Sequence, residues 1–104
     1  MRVEMTFDPA KVAEIPGDFS MNDVYHTVKK MFAKRGLPCI SEGEVLAFGD
    51  TGSEHDFARM WNVILSLVQN NWFMACATSC IYTNDDDESE DVLCQVPEIR
   101  KILA

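Results

Sequence analysis

Four cysteines, two histidines and one dense run of carboxylates are the side chains here with the chemistry to act on a ligand. Cys76 and Cys80 stand four positions apart. On a helix they would be neighbours, and a metal or redox pair would be within reach. On a strand their Cα atoms would lie about 13 Å apart at ~3.3 Å per residue, too far for one metal ion or a disulfide. Cys39 and Cys94 have no cysteine or histidine close in sequence, and no C-x-x-C occurs. The pattern therefore predicts reduced thiols that pack as small hydrophobes, and no cofactor or metal. His26 falls beside Asn22, Lys29 and Lys30, and His55 between Glu54 and Asp56. A triad needs a base within hydrogen-bond reach of a nucleophile and a third group to orient it. No spacing here suggests one, so both histidines read as solvated surface groups.

Three charged or glycine-rich stretches would suit ions. Phe48-Gly49-Asp50-Thr51-Gly52-Ser53 precedes a helical pattern, as phosphate loops do. It lacks the lysine of such loops, and Glu54 and Asp56 would repel an anion at that terminus. A self-capped helix is the simpler reading. Asp85, Asp86, Asp87, Glu88, Glu90 and Asp91 have ligand chemistry for a hard cation. An EF-hand starting at Asp85 would need Gly and Glu where Glu90 and Val96 stand. Adjacent like charges predict a mobile, solvated loop, open to a basic partner. Lys29, Lys30, Lys34 and Arg35 crowd the end of a helical pattern, where the helix dipole favours cations without any ligand.

The elements that must position these groups follow from periodicity. Val3, Met5 and Phe7 alternate with Arg2, Glu4 and Thr6, the pattern of a strand with one wet face, and Pro9 ends it. Ser20 and Asp23 have capping-box spacing. Met21, Val24, Tyr25, Val28, Met31 and Phe32 then keep helical spacing as far as Gly36 and Pro38. Cys39-Ile40 and Glu44-Val45-Leu46-Ala47-Phe48 flank a glycine-containing turn and read as a hairpin. A second helix runs to about Asn70, capped by Thr51 with Glu54 or Ser53 with Asp56. Phe57, Met60, Trp61, Ile64, Leu65 and Val68 form its apolar stripe, and Val63 and Leu67 widen it beyond what a surface helix needs. Residues 72–82 read as one long strand with Trp72, Met74 and Tyr82 on one face. After the acidic run, Pro97 suits the first turn of a short helix ending at Ala104, and residues 92–96 fit strand or helix. The order β-α-β-β-α-β predicts an α+β, ferredoxin-like split βαβ, two-layer sandwich with a C-terminal helical tail, in one domain of residues 1–104.

The stretches Gly36-Leu37-Pro38-Cys39, Glu44-Val45-Leu46-Ala47-Phe48, Asp56-Phe57-Ala58-Arg59-Met60-Trp61 and Trp72-Phe73-Met74-Ala75-Cys76 resemble short acidic proteins carried on conjugative elements of gut Firmicutes. That resemblance spans most of the chain. It implies a bacterial accessory role and assigns no site residue.

Charge limits the partners. The net charge of −8 arises from 9 basic and 17 acidic groups. Residues 1–36 are close to neutral, so nearly all the acidity lies beyond them. This opposes nucleic acid and anionic membranes, both of which reward clustered Lys and Arg. No apolar window suits a signal peptide or a membrane span, so a cytoplasmic chain is expected. The leading functional reading is a non-catalytic protein-interaction module. It would bind a protein partner or itself, as a homodimer, through Val63 and Leu67 of the second helix or through Trp72, Met74 and Tyr82 on the open sheet face. One alternative is an acidic inhibitor or immunity-type protein that meets a basic partner through the carboxylates of residues 85–91. Another is a small-ligand or metal-dependent enzyme using the cysteines or histidines.

Overall fold

A computed structural model describes residues 1–17 and 19–103; Ala104, at the end of the expected tail, lies outside the described residues. Strands β1 (Arg2–Phe7), β2 (Cys39–Ser41), β3 (Leu46–Gly49), β4 (Ala77–Thr83) and β5 (Ser89–Asp91) form one open antiparallel sheet in the order β2-β3-β1-β4-β5. The helices are α1 (Pro9–Ala13), α2 (Met21–Lys34), α3 (Asp56–Val68), α4 (Asn71–Cys76) and α5 (Val92–Leu103). The architecture is α+β.

Central β1 sets the two faces. Val3, Met5 and Phe7 are buried, and Val3 and Met5 pair with Phe48 and Leu46 of β3 on one side and Tyr82 and Cys80 of β4 on the other. These residues belong to one core that takes Val12 from α1, Val28 and Phe32 from α2, Ile64 and Leu67 from α3, Phe73 from α4 and Val92 from α5. The opposite face carries Arg2, Glu4 and Thr6 beside Thr83, Ile81 and Ser79 of β4. Arg2 spans it to Glu4 at 2.8 Å, and Thr6 shares hydrogen bonds with Thr78 and Ser79.

α2 forms as its sequence predicts. Ser20 accepts the Asp23 N–H at 3.2 Å while the Asp23 carboxylate accepts the Ser20 N–H at 2.9 Å, closing the capping box. Gly36 takes φ +74°, the left-handed conformation that ends a helix most cheaply in glycine. The Phe32 ring stacks on Phe48 of β3, with centroids 3.9 Å apart and planes within 7°. The predicted hairpin is β2–β3. At Gly49 a Cβ would stand 3.1 Å from the exposed Ile40 side chain, so a larger residue there would require Ile40 to shift slightly.

Four expectations need correction. After β1 the chain turns directly into α1, with Asp8 accepting the Ala10 N–H at 3.0 Å and Pro9 in the first turn, where its missing N–H costs nothing. Residues 72–82 are not one strand. Phe7, the last residue of β1, pairs with Ala77, so the residues before Ala77 have no strand to pair with. Their backbone is satisfied instead in α4, whose Phe73 and Cys76 point inward. Trp72 and Met74 therefore lie half-buried on a helix, and only Tyr82 lies on the strand. Residues 85–91 are exposed throughout, as expected, but they are not all loop. They close a hairpin in which Asn84 Oδ1 accepts the N–H groups of Asp86 and Glu88 at 2.9 and 3.0 Å, Asp87 takes φ 60°, and Glu90 pairs with Tyr82. Finally, helix α5 starts at Val92, five residues before Pro97. The buried Val92 and Val96 hold this first turn against the core, which offsets the hydrogen bond that Pro97 cannot donate.

Candidate functional site

The thiols do not form a site. Cys76 and Cys80 are buried, Cys39 and Cys94 exposed, and all four are free. Burial pushes the Cys80 thiol up to about 12, with the Asp91 carboxylate adding to the effect, so it stays protonated and unreactive at neutral pH. Among the described residues, no group of three His, Cys, Asp or Glu side chains is close enough to hold a metal ion. His55 is exposed and faces Glu54 at 3.6 Å. Among the described residues, no helix is long and apolar enough to cross a membrane.

The glycine-containing loop before α3 is already filled by an anion of its own. Asp56, only 1% exposed, accepts the Thr51 N–H at 2.6 Å, the Thr51 hydroxyl at 2.9 Å and the Ser53 N–H at 3.0 Å. Neither cap expected from the sequence forms: the N-cap of α3 is His55, without a side-chain cap bond, and the Ser53–Asp56 contact instead ties the preceding loop to the Asp56 carboxylate. Burial opposes the Asp56 charge, but the N–H and O–H groups of Thr51, the Ser53 N–H and the Arg59 guanidinium hold its carboxyl below the usual range. A lowered folded value means stability that is fully present above the unfolded value of 3.8 and lost as pH falls through the folded one. Asp56→Ala is expected to lower Tm by about 5 °C near neutral pH. The gap between variant and parent should narrow as pH drops below that value, which thermal melts across pH will measure.

Neither of the two residues that widen the α3 stripe offers a free surface. Val63 is 3% exposed and Leu67 is fully buried. Val63 reaches the surface only in the floor of a cleft beside Met31, Lys34 and Arg35. The middle of the stripe is consumed within the chain, because α3 packs against α2, α4 and α5 as well as contributing to the core over the sheet. Trp72 lines a separate cleft with Ile15 and Pro16 between α1 and α4.

The groups that do converge lie at one end of the molecule, where β4 runs into its hairpin beside the first turns of α3. Phe57 and Trp61 share a helix face by their spacing of four. Their ring centroids are 6.5 Å apart, and both rings pack on Tyr82, at 6.3 and 5.1 Å. Phe57 is 56% exposed, whereas Tyr82 is 3% exposed. The Trp61 Nε1 and the Tyr82 hydroxyl are both buried without a well-formed hydrogen bond, the indole being the donor beside the phenol oxygen. Asp85, Asp86 and Glu90 line the same cleft, which has a volume of about 440 Å³. Inside its rim the Met1 amino group lies 2.8 Å from Asp85 and 3.1 Å from Asp50. The Asp85 hydrogen bond, ahead of the contribution of Asp50, holds that amine above its ordinary value. Burial pushes the Tyr82 phenol up, the Trp61 indole pulls the other way, and Asp85, Glu90 and Asp50 push it up further. The result is a cluster of three rings, one of them exposed, bordered by carboxylates. No family model, curated protein or solved structure matches the chain.

Sequence reasoning reached Tyr82 and the acidic run by separate routes and missed Phe57 and Trp61 as their neighbours. A signal was present: an apolar stripe too wide for one face must leave an edge exposed. That edge is Phe57, at the helix start nearest the hairpin, rather than Val63 or Leu67 in its middle.

Proposed function

We propose that this protein is a non-catalytic, cytoplasmic binding module that takes a basic segment of a partner protein along the edge formed by α3 and the β4–β5 hairpin. The exposed Phe57 ring, packed on Trp61 and Tyr82 beside Asp85, Asp86 and Glu90, is the observation that carries this reading. Aromatic faces attract cations through their quadrupole, and neighbouring carboxylates add Coulomb attraction and steer the encounter. The scaffold we infer is a ferredoxin-like split βαβ sandwich with β5 added at one edge. It is supported by the strand order β2-β3-β1-β4 and by helices between β1 and β2 and between β3 and β4. Self-association through the middle of α3 has less support, because Val63 and Leu67 are already buried.

The test is calorimetric titration of the full chain with a synthetic Gly/Ser peptide carrying several Arg and Lys residues. Binding is expected at low salt and should weaken by about tenfold on going from about 0.05 to about 0.5 M salt, as the Debye length shrinks. No binding at low salt, or binding indifferent to salt, would overturn the reading.

A further inference from the structure

Resting on that reading, we propose that the group recognised is a guanidinium: an arginine side chain of the partner, stacked on Phe57 with its N–H fork on Asp86 and Glu90. Three observations point to arginine rather than lysine. The first is that Asp86 and Glu90 have no ion-pair partner among the described residues, so two carboxylates line the cleft with unused acceptor capacity. A planar fork with five donors matches such an arrangement, whereas a lysine offers three donors from one atom.

The second observation is the Phe57 ring. It is more than half exposed and lies outside the buried core. A guanidinium is weakly hydrated and stacks flat on an aromatic face, while an ammonium holds its water more tightly. The third is the Tyr82 hydroxyl, which belongs to a residue only 3% exposed that lines this cleft and makes no well-formed hydrogen bond, the Trp61 indole being the donor beside it. A phenol oxygen so weakly bonded keeps acceptor capacity for an added donor. The acidic cluster alone would specify only positive charge. The exposed ring and the weakly bonded phenol add a shape and a hydrogen-bond requirement.

The test uses three Gly/Ser peptides that differ only in carrying arginine, lysine or citrulline at the same positions. Citrulline keeps the planar shape and lacks the charge. The full chain should bind the arginine peptide about tenfold more tightly than the lysine peptide, and the citrulline peptide more weakly than either. Phe57→Leu, with the fold checked by circular dichroism, should narrow the difference between arginine and lysine, leaving only what the fork on Asp86 and Glu90 supplies. Equal affinity for arginine and lysine in the parent protein would overturn the guanidinium assignment and leave the basic-segment reading standing. Binding of neither peptide would overturn both. Citrulline binding as well as arginine would also overturn both, because charge would then not be what is recognised.

Discussion

Replacing Phe32 with alanine is expected to lower the unfolding free energy by about 3–5 kcal/mol, as loss of a large buried aromatic generally does. Phe32 is fully buried and Phe48 is 1% exposed. Their rings form the close parallel stack that joins α2 to β3 beside the central strand. Truncation removes the hydrophobic transfer energy and leaves a space the rigid sheet cannot fill. Against a total stability of about 5–15 kcal/mol for a domain of this kind, that is a large fraction. Urea denaturation should show a much lower midpoint with an unchanged slope. Phe57→Ala is the comparison, because that ring is exposed and outside the core. Its cost should be about 1 kcal/mol or less, the aromatic contacts with Trp61 and Tyr82. Equal costs at the two positions would mean that Phe57 belongs to the core as much as Phe32 does.

The converse pattern is expected for binding. The triple variant Phe57→Ala/Asp86→Asn/Glu90→Gln should lose affinity for a basic peptide by about 100-fold or more at low salt, the scale of a deleted hot spot. Its folding stability should change little. None of the three residues is buried, and Asp86 and Glu90 take part in no ion pair described here. Asp85 is left in place so that the contact with the Met1 amino group persists. Phe32→Ala should therefore affect stability, and the triple variant should affect binding. Calorimetry and urea melts on both proteins separate the two effects.

How much was legible beforehand depends on whether the decisive interaction is local. The capping box of α2, the alternation of β1 and the glycine at the end of α2 are set by residues within a turn or two of one another, and each forms as the sequence predicts. The switch from α4 to β4 at Ala77 is set by the far end of β1, a pairing about 70 residues away. An apolar run fits a buried helix as well as a buried strand, so nothing within residues 72–82 decides the matter. The acidic run hid β5 for a related reason. Like charges suggest a loop, but the Asn84 side chain shapes the turn, and β4 gives Ser89–Asp91 a ladder partner. Carboxylates on such a short edge strand also discourage further strand pairing. The candidate site was half visible. Its carboxylates and Tyr82 stood out as residue types, whereas their meeting with Phe57 and Trp61 depends on the way α3 packs across the sheet.

The most direct test of the account is a map of backbone amide shifts as the full chain is titrated with the arginine-containing peptide. The account predicts shifts confined to the first turns of α3 around Phe57 and Trp61 and to the hairpin from Tyr82 to Asp91, disappearing at high salt. Shifts centred on the Lys34 and Arg35 cleft, on the Arg2–Glu4 face of the sheet or on the Trp72 cleft would contradict it, as would no shifts at all.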